Sequence, residues 1–257
     1  YTADTMTLAK ALEMSINTVA VQVLQRVDHK NFKEFAKKII PIQIRSIIRR
    51  IEYKIFKVDN EFRNMSNSEI FDKIYKEGTW GKNIEGNPSS GSGSYKSYII
   101  QPYIAKVSNF LLEKKPSVIV DLGCGDFNIG KNFVNYSKKY IACDVSKEIL
   151  ARNKKSFSAL KNVDFNFLDL SRDCLPMGDV CIVRQVLQHL SNSDIEGFVD
   201  KLNTSKPYKY LLLTEHLPSI DNFKVNLDKR GGANIRMALN SGVVLHKEPF
   251  NLIASNF

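Results

Sequence analysis

From Ser117 onward, apolar strand-like runs alternate with helix-like runs, which leaves few folds open to the chain. The pattern predicts strands near 117–122, 139–144, 163–168, 179–184 and 208–214, and helices near 128–137, 146–160 and 192–203. Alternation of this kind is typical of an α/β fold with a parallel sheet and helices on both faces. Right-handed crossovers bring the carboxyl ends of all strands to one edge. A ligand is therefore expected at that edge, where the strand order reverses.

The first predicted strand runs directly into the sequence Asp-x-Gly-x-Gly. Gly123 and Gly125 allow the backbone to turn tightly and to approach a ligand without a Cβ atom in the way. The third glycine of a dinucleotide fingerprint is replaced by Asn128, and an acid, Asp121, precedes the first glycine. A pyrophosphate gains nothing from that acid. A cationic sulfonium ligand with an ammonium group gains charge-assisted contacts from it.

Residues 118–130, VIVDLGCGDFNIG, resemble motif I of the class I S-adenosylmethionine (SAM)-dependent methyltransferases. The resemblance extends over residues 70–257 and implies a Rossmann-like, mostly parallel sheet with SAM as the cofactor. It places Asp144, at the end of the second strand, on the ribose hydroxyls and Asp169 on the adenine amino group. The alternative for Asp144 is a helix N-terminal acid in the turn Asp-Val-Ser, and the alternative for Asp169 is a solvated strand-end acid. The cofactor-binding residues that it implies are Asp121, Gly123, Cys124, Gly125, Asp144, Val145, Asp169, Leu170 and Arg184.

The strand 179–184 and the Leu-x-His-Leu sequence that closes the following turn are similar to the family's fourth motif. By this resemblance, Arg184 to Gln188 line the floor beneath the methyl donor. His189 is a candidate base, although a histidine between leucines is more often a buried structural residue.

After the fifth predicted strand comes Thr214-Glu215-His216, at the edge where acceptors dock. Methyl transfer to oxygen or nitrogen is an in-line displacement that mainly requires positioning, with a base only where the nucleophile loses a proton. His216 is the first candidate base. Glu215 is a candidate to orient it or to bind the substrate, and a purely structural role is the alternative for both residues.

Three further features of the sequence concern the site and the end of the sheet. Residues 77–95 are rich in Gly, Ser, Asn and Pro, which predicts an irregular segment that is either a linker or a lid over a ligand. Arg236 is a candidate to hold an anionic acceptor, with a surface arginine as the alternative. The family normally ends in a β-hairpin, of which this chain is expected to hold at most one strand, near 243–245, so that the hairpin is truncated.

The N-terminal part, 1–69, is predicted to be a helical appendage. Residues 1–38 resemble a fragment of the transpeptidase domain of penicillin-binding proteins, in which a Ser-x-Asn triplet, here starting at Ser15, lies in the active site. The partner motifs of that triplet are missing, which favours plain helix residues. Residues 40–57 form a basic amphipathic pattern, either packed by its isoleucines or lying peripherally on an anionic membrane.

The net charge of +10 is concentrated in residues 30–63, which argues against a nucleic-acid groove across the protein. The four cysteines show no paired spacing and the four histidines are far apart, so no metal site is expected. The sequence has no long apolar run and no secretory signal near its start, and a cytoplasmic location is expected.

The sequence thus predicts a SAM-dependent methyltransferase that acts on a small-molecule acceptor. A sugar or an intermediate of bacterial glycan biosynthesis is favoured by analogy with similar folds. The first alternative is an NAD-dependent oxidoreductase on a Rossmann fold, and Asn128 argues against it. The second is a non-catalytic, peptidoglycan-associated binding protein defined by the N-terminal tract. The oligomeric state is left open.

Overall fold

The computed structural model describes Phe62, residues 64–219 and residues 223–255. The transpeptidase-like tract 1–38 and the basic segment 40–57 lie outside the described residues. The first described helix, α1 (Asn67–Glu77), starts with a capping box formed by Ser66 and Glu69. It spans the domain boundary predicted between residues 69 and 70, and its apolar face lies in the core of the α/β unit.

Five parallel strands form the central sheet, in the order β3-β2-β1-β4-β5. The chain moves outward from β1 to β3 and then returns to β4 on the other side of β1, so that the strand order reverses between β1 and β4. All five predicted strands are confirmed to within a residue or so. They are β1 (Val118–Leu122), β2 (Lys139–Asp144), β3 (Val163–Phe167), β4 (Gly178–Arg184) and β5 (Tyr208–Thr214).

Helices cover both faces of the sheet, which confirms the predicted Rossmann-like α/β arrangement. Besides α1 they are α2 (Ser97–Lys114), α3 (Lys147–Ser156) and α4 (Asn192–Ser205). Alternate residues of β1 point to opposite sides. Val120 packs in one cluster with Phe198 of α4, and Ile119 packs in the other with Leu111 of α2. No helix in the described part of the chain is long and apolar enough to cross a membrane.

The helix predicted over 128–137 is not formed, and two short 3₁₀ turns, Gly130–Asn132 and Val134–Tyr136, take its place. Phe127 has a φ of 61°, a left-handed conformation that an α-helix cannot continue through. Its ring is fully buried, and a Cβ atom on Gly130 would lie 2.5 Å from it. The segment after Phe127 thus begins from a tightly packed left-handed turn and continues as 3₁₀ turns.

The strand predicted near 243–245 is also wrong. Two very short strands, β6 (Lys224–Val225) and β7 (Ser241–Gly242), pair in parallel just before it. Val243 and Leu245 are buried, but the backbone of the residue between them forms hydrogen bonds with a side chain. The amide of Asn226 donates to the carbonyl oxygen of Val244 at 2.9 Å and accepts from its N–H at 2.8 Å. A buried asparagine thus replaces the neighbouring strand that this segment would otherwise need.

Candidate active site

The glycine turn after β1 lies where the strand order reverses. Gly123 and Gly125 have φ values of 74° and 55°, a region that favours glycine. The N–H groups of Gly123 and Cys124 donate to the carbonyl oxygen of Cys143 at 2.8 and 2.9 Å. A Cβ atom on Gly123 would lie 2.4 Å from a methyl carbon of Val186, in the turn after β4. The turn is therefore as tight as the motif predicts, and it is packed against the β4 side of the switch point.

Asp121, the acid of the motif, is buried below this turn. Its Oδ2 accepts a hydrogen bond of 2.9 Å from the hydroxyl of Tyr140. Burial raises the pKa of Asp121 from 3.8 to about 7, while the Tyr140 bond and the charge of Arg184 act in the opposite direction. The group therefore changes charge near neutral pH.

Asp144 connects the glycine turn to the start of α3. Its Oδ2 accepts from the N–H of Gly125 and its Oδ1 from the N–H of Ser146, both at 2.9 Å. Burial raises the pKa of Asp144 to about 6 in spite of these bonds. Each carboxylate oxygen can accept two hydrogen bonds, so the group retains acceptor capacity for a ligand. Val145 is partly buried beside it and packs on the core.

Asp169 follows β3 at the same edge of the sheet. Its Oδ1 accepts from the N–H and the hydroxyl of Ser171 at 3.0 and 2.6 Å. Its Oδ2 is 3.5 Å from the amide nitrogen of Asn67 at the start of α1. Leu170 is buried in the core. The structure thus brings the three acids of the predicted cofactor site to one edge, at the carboxyl ends of β1, β2 and β3.

Arg184, at the end of β4, contacts the segment before α2. Its guanidinium donates to the carbonyl oxygen of Gly93 at 2.9 Å and to the hydroxyl of Ser94 at 3.3 Å. It also lies 5.0 Å from the ring centre of Tyr103. Its Nε is buried and finds no hydrogen-bond partner among the described residues. A buried cationic donor without a partner is unfavourable unless a ligand completes it.

The irregular segment 77–95 covers the glycine turn through contacts that the sequence did not reveal. The N–H of Ser90 donates to Asp126 at 2.8 Å, the N–H of Asp126 donates to the Ser90 hydroxyl at 2.9 Å, and the Tyr95 hydroxyl donates to Asp126 at 2.9 Å. A Cβ atom on Gly125 would lie 2.3 Å from the Ser90 hydroxyl oxygen. The position of Asp126 next to the motif was the one available signal. The lid function stays a prediction.

Glu215 is bonded to backbone and not to His216. Its carboxylate accepts from the N–H groups of Val186, Leu187 and Gln188 at 3.0, 2.8 and 3.2 Å. Burial raises its pKa to about 7, and these three bonds act against the rise. Glu215 therefore stabilises the turn after β4. This turn forms the floor of the site.

The exposed ring of His216 is oriented by two glutamines. Its Nδ1 is 2.9 Å from Oε1 of Gln188, and its Nε2 is 3.3 Å from Nε2 of Gln185. Partial burial and the charge of Arg184 lower its pKa below the usual value. A neutral imidazole that reaches the carboxyl edge of β4 and β5 is suited to accept a proton.

His189 lies in an aromatic cluster behind this edge. Its ring centre is 4.9 Å from that of Trp80 and 6.5 Å from that of Phe71. Burial and the charge of Lys229 lower its pKa to about 3. These surroundings favour the structural interpretation of His189, because the ring stays neutral and packs against two aromatic rings.

Arg236 does not reach an acceptor. It is 1% exposed and donates to the carbonyl oxygens of Leu227 and Leu187 at 3.1 and 2.9 Å and to Oδ1 of Asn192 at 2.7 Å. The prediction that it holds an anionic acceptor, and the alternative of a surface arginine, are both wrong. Its guanidinium instead ties the C-terminal segment to the turn after β4.

The chemistry of these side chains fits SAM. Its aminocarboxylate end carries an ammonium and a carboxylate, which are matched by the buried Asp121 and by Arg184 with its unpartnered Nε. Its ribose and adenine present hydroxyl and amino donors, which are matched by the oxygens of Asp144 and Asp169.

The comparisons with known proteins agree with this arrangement. A family model described as a methyltransferase domain matches residues 120–205, about a third of the chain. No curated protein matches the sequence. The resemblance of residues 1–38 to penicillin-binding proteins finds no support, and neither alternative function is favoured.

Several solved structures of methyltransferases are similar to this chain. The methyltransferase domain of the bacterial protein CtHen1 is 21% identical over 44% of this chain and 64% of its own, with a TM-score of 0.41. NodS from Bradyrhizobium japonicum, an N-methyltransferase solved with S-adenosyl-L-homocysteine (SAH), is 12% identical over 57% and 74%, with a TM-score of 0.47. A SAM-dependent methyltransferase from Clostridium acetobutylicum is 17% identical over 43% and 46%, with a TM-score of 0.37. The chain thus spans less than two thirds of the CtHen1 domain.

Proposed function

We propose that this chain, which contains a class I methyltransferase domain with SAM as its cofactor, transfers the methyl group of SAM to a small-molecule acceptor. The observation that carries the proposal is the glycine turn at the switch point between β1 and β4, flanked by the buried carboxyl groups of Asp121 and Asp144. In open α/β sheets, ligands bind at this point.

Each residue of the site has a role in this proposal. Asp121 and Arg184 bind the aminocarboxylate end, Asp144 the ribose hydroxyls and Asp169 the adenine amino group. Bound SAM supplies an electrophilic methyl group on a sulfonium. Glu215 holds the turn that forms the floor, and His216 takes the proton of the acceptor. Positioning contributes the largest share of the rate, because an in-line displacement requires little covalent participation by the protein.

The acceptor class is the finer part of the proposal. His216 and Gln185 present neutral polar groups at the carboxyl edge, which suits a hydroxyl compound such as a sugar or an intermediate of bacterial glycan biosynthesis. A basic segment at 40–57 that delivers such an acceptor from an anionic membrane stays a separate prediction.

The activity is tested with SAM that carries a ¹³C-labelled methyl group and a panel of free sugars and nucleotide sugars. We expect the label to appear on at least one compound of the panel, and His216→Ala to lower the rate about 100-fold. Label in none of the compounds would contradict the sugar assignment. An unchanged rate in His216→Ala would show that His216 is not the base.

Asp144→Ala should weaken SAH binding by about 1–3 kcal/mol, because the ribose loses its acceptor and the N–H of Gly125 loses its partner. Isothermal titration calorimetry measures the change. Asp164→Ala is the matched control, since Asp164 lies exposed on β3 and pairs with Lys139 away from the site. Equal affinities of the two variants would place the cofactor elsewhere.

SAH binding should depend on pH. The pKa of Asp121 is about 7, so its carboxylate is largely ionised at pH 8 and becomes protonated as the pH falls through 7. Because only the ionised form attracts the ammonium group, affinity should fall roughly tenfold between pH 8 and pH 6. Calorimetry at both pH values checks this, and Asp121→Asn should bind weakly at both. A parent protein with the same affinity at pH 6 and pH 8 would rule out Asp121 as the ammonium partner.

A further inference from the structure

A chain of hydrogen bonds links the aromatic cluster behind the site to the exposed His216. It begins at His189, whose Nδ1 is 3.1 Å from the carbonyl oxygen of Gly232. A carbonyl oxygen only accepts, so Nδ1 of His189 carries a hydrogen. In the neutral ring the other nitrogen, Nε2, then holds a lone pair. Burial and the nearby Lys229 lower the pKa of His189 to about 3, which keeps the ring neutral at physiological pH.

Gln188 connects His189 to His216 through its side-chain amide. Its side chain is 4% exposed, and its Nε2 is 3.5 Å from Nε2 of His189, which can only accept. Its Oε1 is 2.9 Å from Nδ1 of His216 and 3.4 Å from the backbone N–H of the same residue. The backbone N–H is a donor under all conditions, so it fixes the amide orientation independently of the two rings. Nδ1 of His216 must therefore be the nitrogen that carries the hydrogen.

The lone pair of the neutral His216 ring is consequently on Nε2. This nitrogen lies 3.3 Å from the amide nitrogen of Gln185, which is a donor and agrees with the assignment. Gln185 is itself constrained. Its φ is 57°, its N–H donates to the carbonyl oxygen of Thr214 at 2.6 Å, and a Cβ atom on Gly93 would lie 3.2 Å from its Oε1.

We propose that Gln188 and His189 are positioning residues that hold His216 in the tautomer with its lone pair on Nε2, directed to the acceptor. The inference rests on the proposed methyl transfer. In that step the acceptor oxygen or nitrogen forms a bond to the methyl carbon, and the carbon–sulfur bond of SAM breaks with its electron pair on sulfur. The acceptor displaces the Gln185 amide from Nε2 of His216 and gives its proton to this nitrogen, and the resulting imidazolium keeps its Nδ1–H on Gln188.

Several charged or titratable groups face the two histidines. Arg184 on β4 opposes protonation of His216, and Glu215 lies next to it in the chain with its carboxylate turned to the backbone after β4. Lys229 and His216 both oppose protonation of His189. A carboxylate in the place of the Gln188 amide would stabilise the protonated form of His216 and raise its pKa.

The test is ¹⁵N NMR of the histidine rings in the full chain with bound SAH, from pH 5 to pH 9. In the parent, His216 should show a protonated Nδ1 and an unprotonated Nε2 at pH 8. Gln188→Met keeps the length of the side chain, removes both polar atoms and should convert this signature into a mixture of tautomers. Gln101→Met, an exposed position on α2, is the matched control and should leave the signature unchanged.

A second variant keeps the test decisive if Gln188→Met folds poorly. Gln188→Glu should retain the Nδ1–H tautomer and raise the titration midpoint of His216 by about one pH unit or more. A parent His216 with its hydrogen on Nε2, or a tautomer and midpoint that neither variant changes, would overturn the proposal. These spectra need no acceptor. Failure of the proposed function appears separately, as absence of methyl transfer or of SAH binding.

Discussion

Gly123→Val should abolish detectable SAH binding, a loss of at least about 100-fold. The new Cβ atom would start 2.4 Å from a methyl carbon of Val186 and impose a side chain at a φ of 74°. The turns after β1 and β4 must move apart to relieve this collision. The cofactor then loses the tight surface to which we propose that it binds. The left-handed backbone adds about 1–2 kcal/mol of strain and overpacking about 1–3 kcal/mol, so the chain should stay folded with a lower melting temperature. Calorimetry and thermal unfolding measure the two effects.

Gly86→Val is the matched control for this prediction. Gly86 has a φ of 79°, and no atom lies within 4 Å of the position where its Cβ atom would be. The control therefore carries the same kind of backbone strain without the collision, and it should bind SAH as the parent does. If Gly123→Val binds SAH with parental affinity, the glycine turn is not the cofactor site.

Arg236→Met should destabilise the folded chain by about 3–5 kcal/mol. The guanidinium is almost fully buried and donates to three acceptors, and its charge also acts favourably on Glu215. Methionine fills a similar volume but leaves two carbonyl oxygens and one amide oxygen without their donor, and it removes a favourable charge near Glu215. Chemical denaturation followed by circular dichroism gives the change in unfolding free energy.

Arg172→Met serves as its control, because Arg172 is exposed in the loop after β3. The unfolding free energy of Arg172→Met should stay within about 0.5 kcal/mol of that of the parent. A similarly small change in Arg236→Met would show that the buried guanidinium does not stabilise the folded chain.

The sheet could be predicted from the sequence because β1, β2 and β4 contain short apolar runs with clear boundaries. In β1, four successive buried residues end at the first glycine of the motif, and this run has no amphipathic helical period. The handedness of crossovers predicted that all carboxyl ends share one edge, but the sequence did not specify the order of the strands.

The two wrong elements depend on tertiary contacts that local patterns do not contain. Residues 128–137 have helix-compatible spacing, but the buried ring of Phe127 requires a left-handed backbone at the start of the segment. Residues 243–245 have strand-like composition, but their backbone is satisfied by Asn226, which is distant in sequence. Neither asparagine nor phenylalanine signals such a role in isolation.

The candidate site was predictable where a motif specified it and not where a side chain bonds to distant backbone. Asp121, Asp144 and Asp169 come together at one edge because each lies at or just beyond the carboxyl end of a parallel strand. The functions of Glu215 and Gln188 depend on how the turns after β4 and β5 face each other. Ser90 lies in a segment without periodicity, so only the position of its partner Asp126 next to the motif signalled its contact with the glycine turn.

The most direct test of the account is a pair of calorimetric titrations of the full chain at pH 8, one with SAH and one with NAD. A SAM-binding site formed by the glycine turn and its acids predicts saturable binding of one SAH per chain, with affinity in the micromolar range or tighter, and no binding of NAD. Binding of NAD without a response to SAH would contradict the central claim and identify a dinucleotide-binding protein.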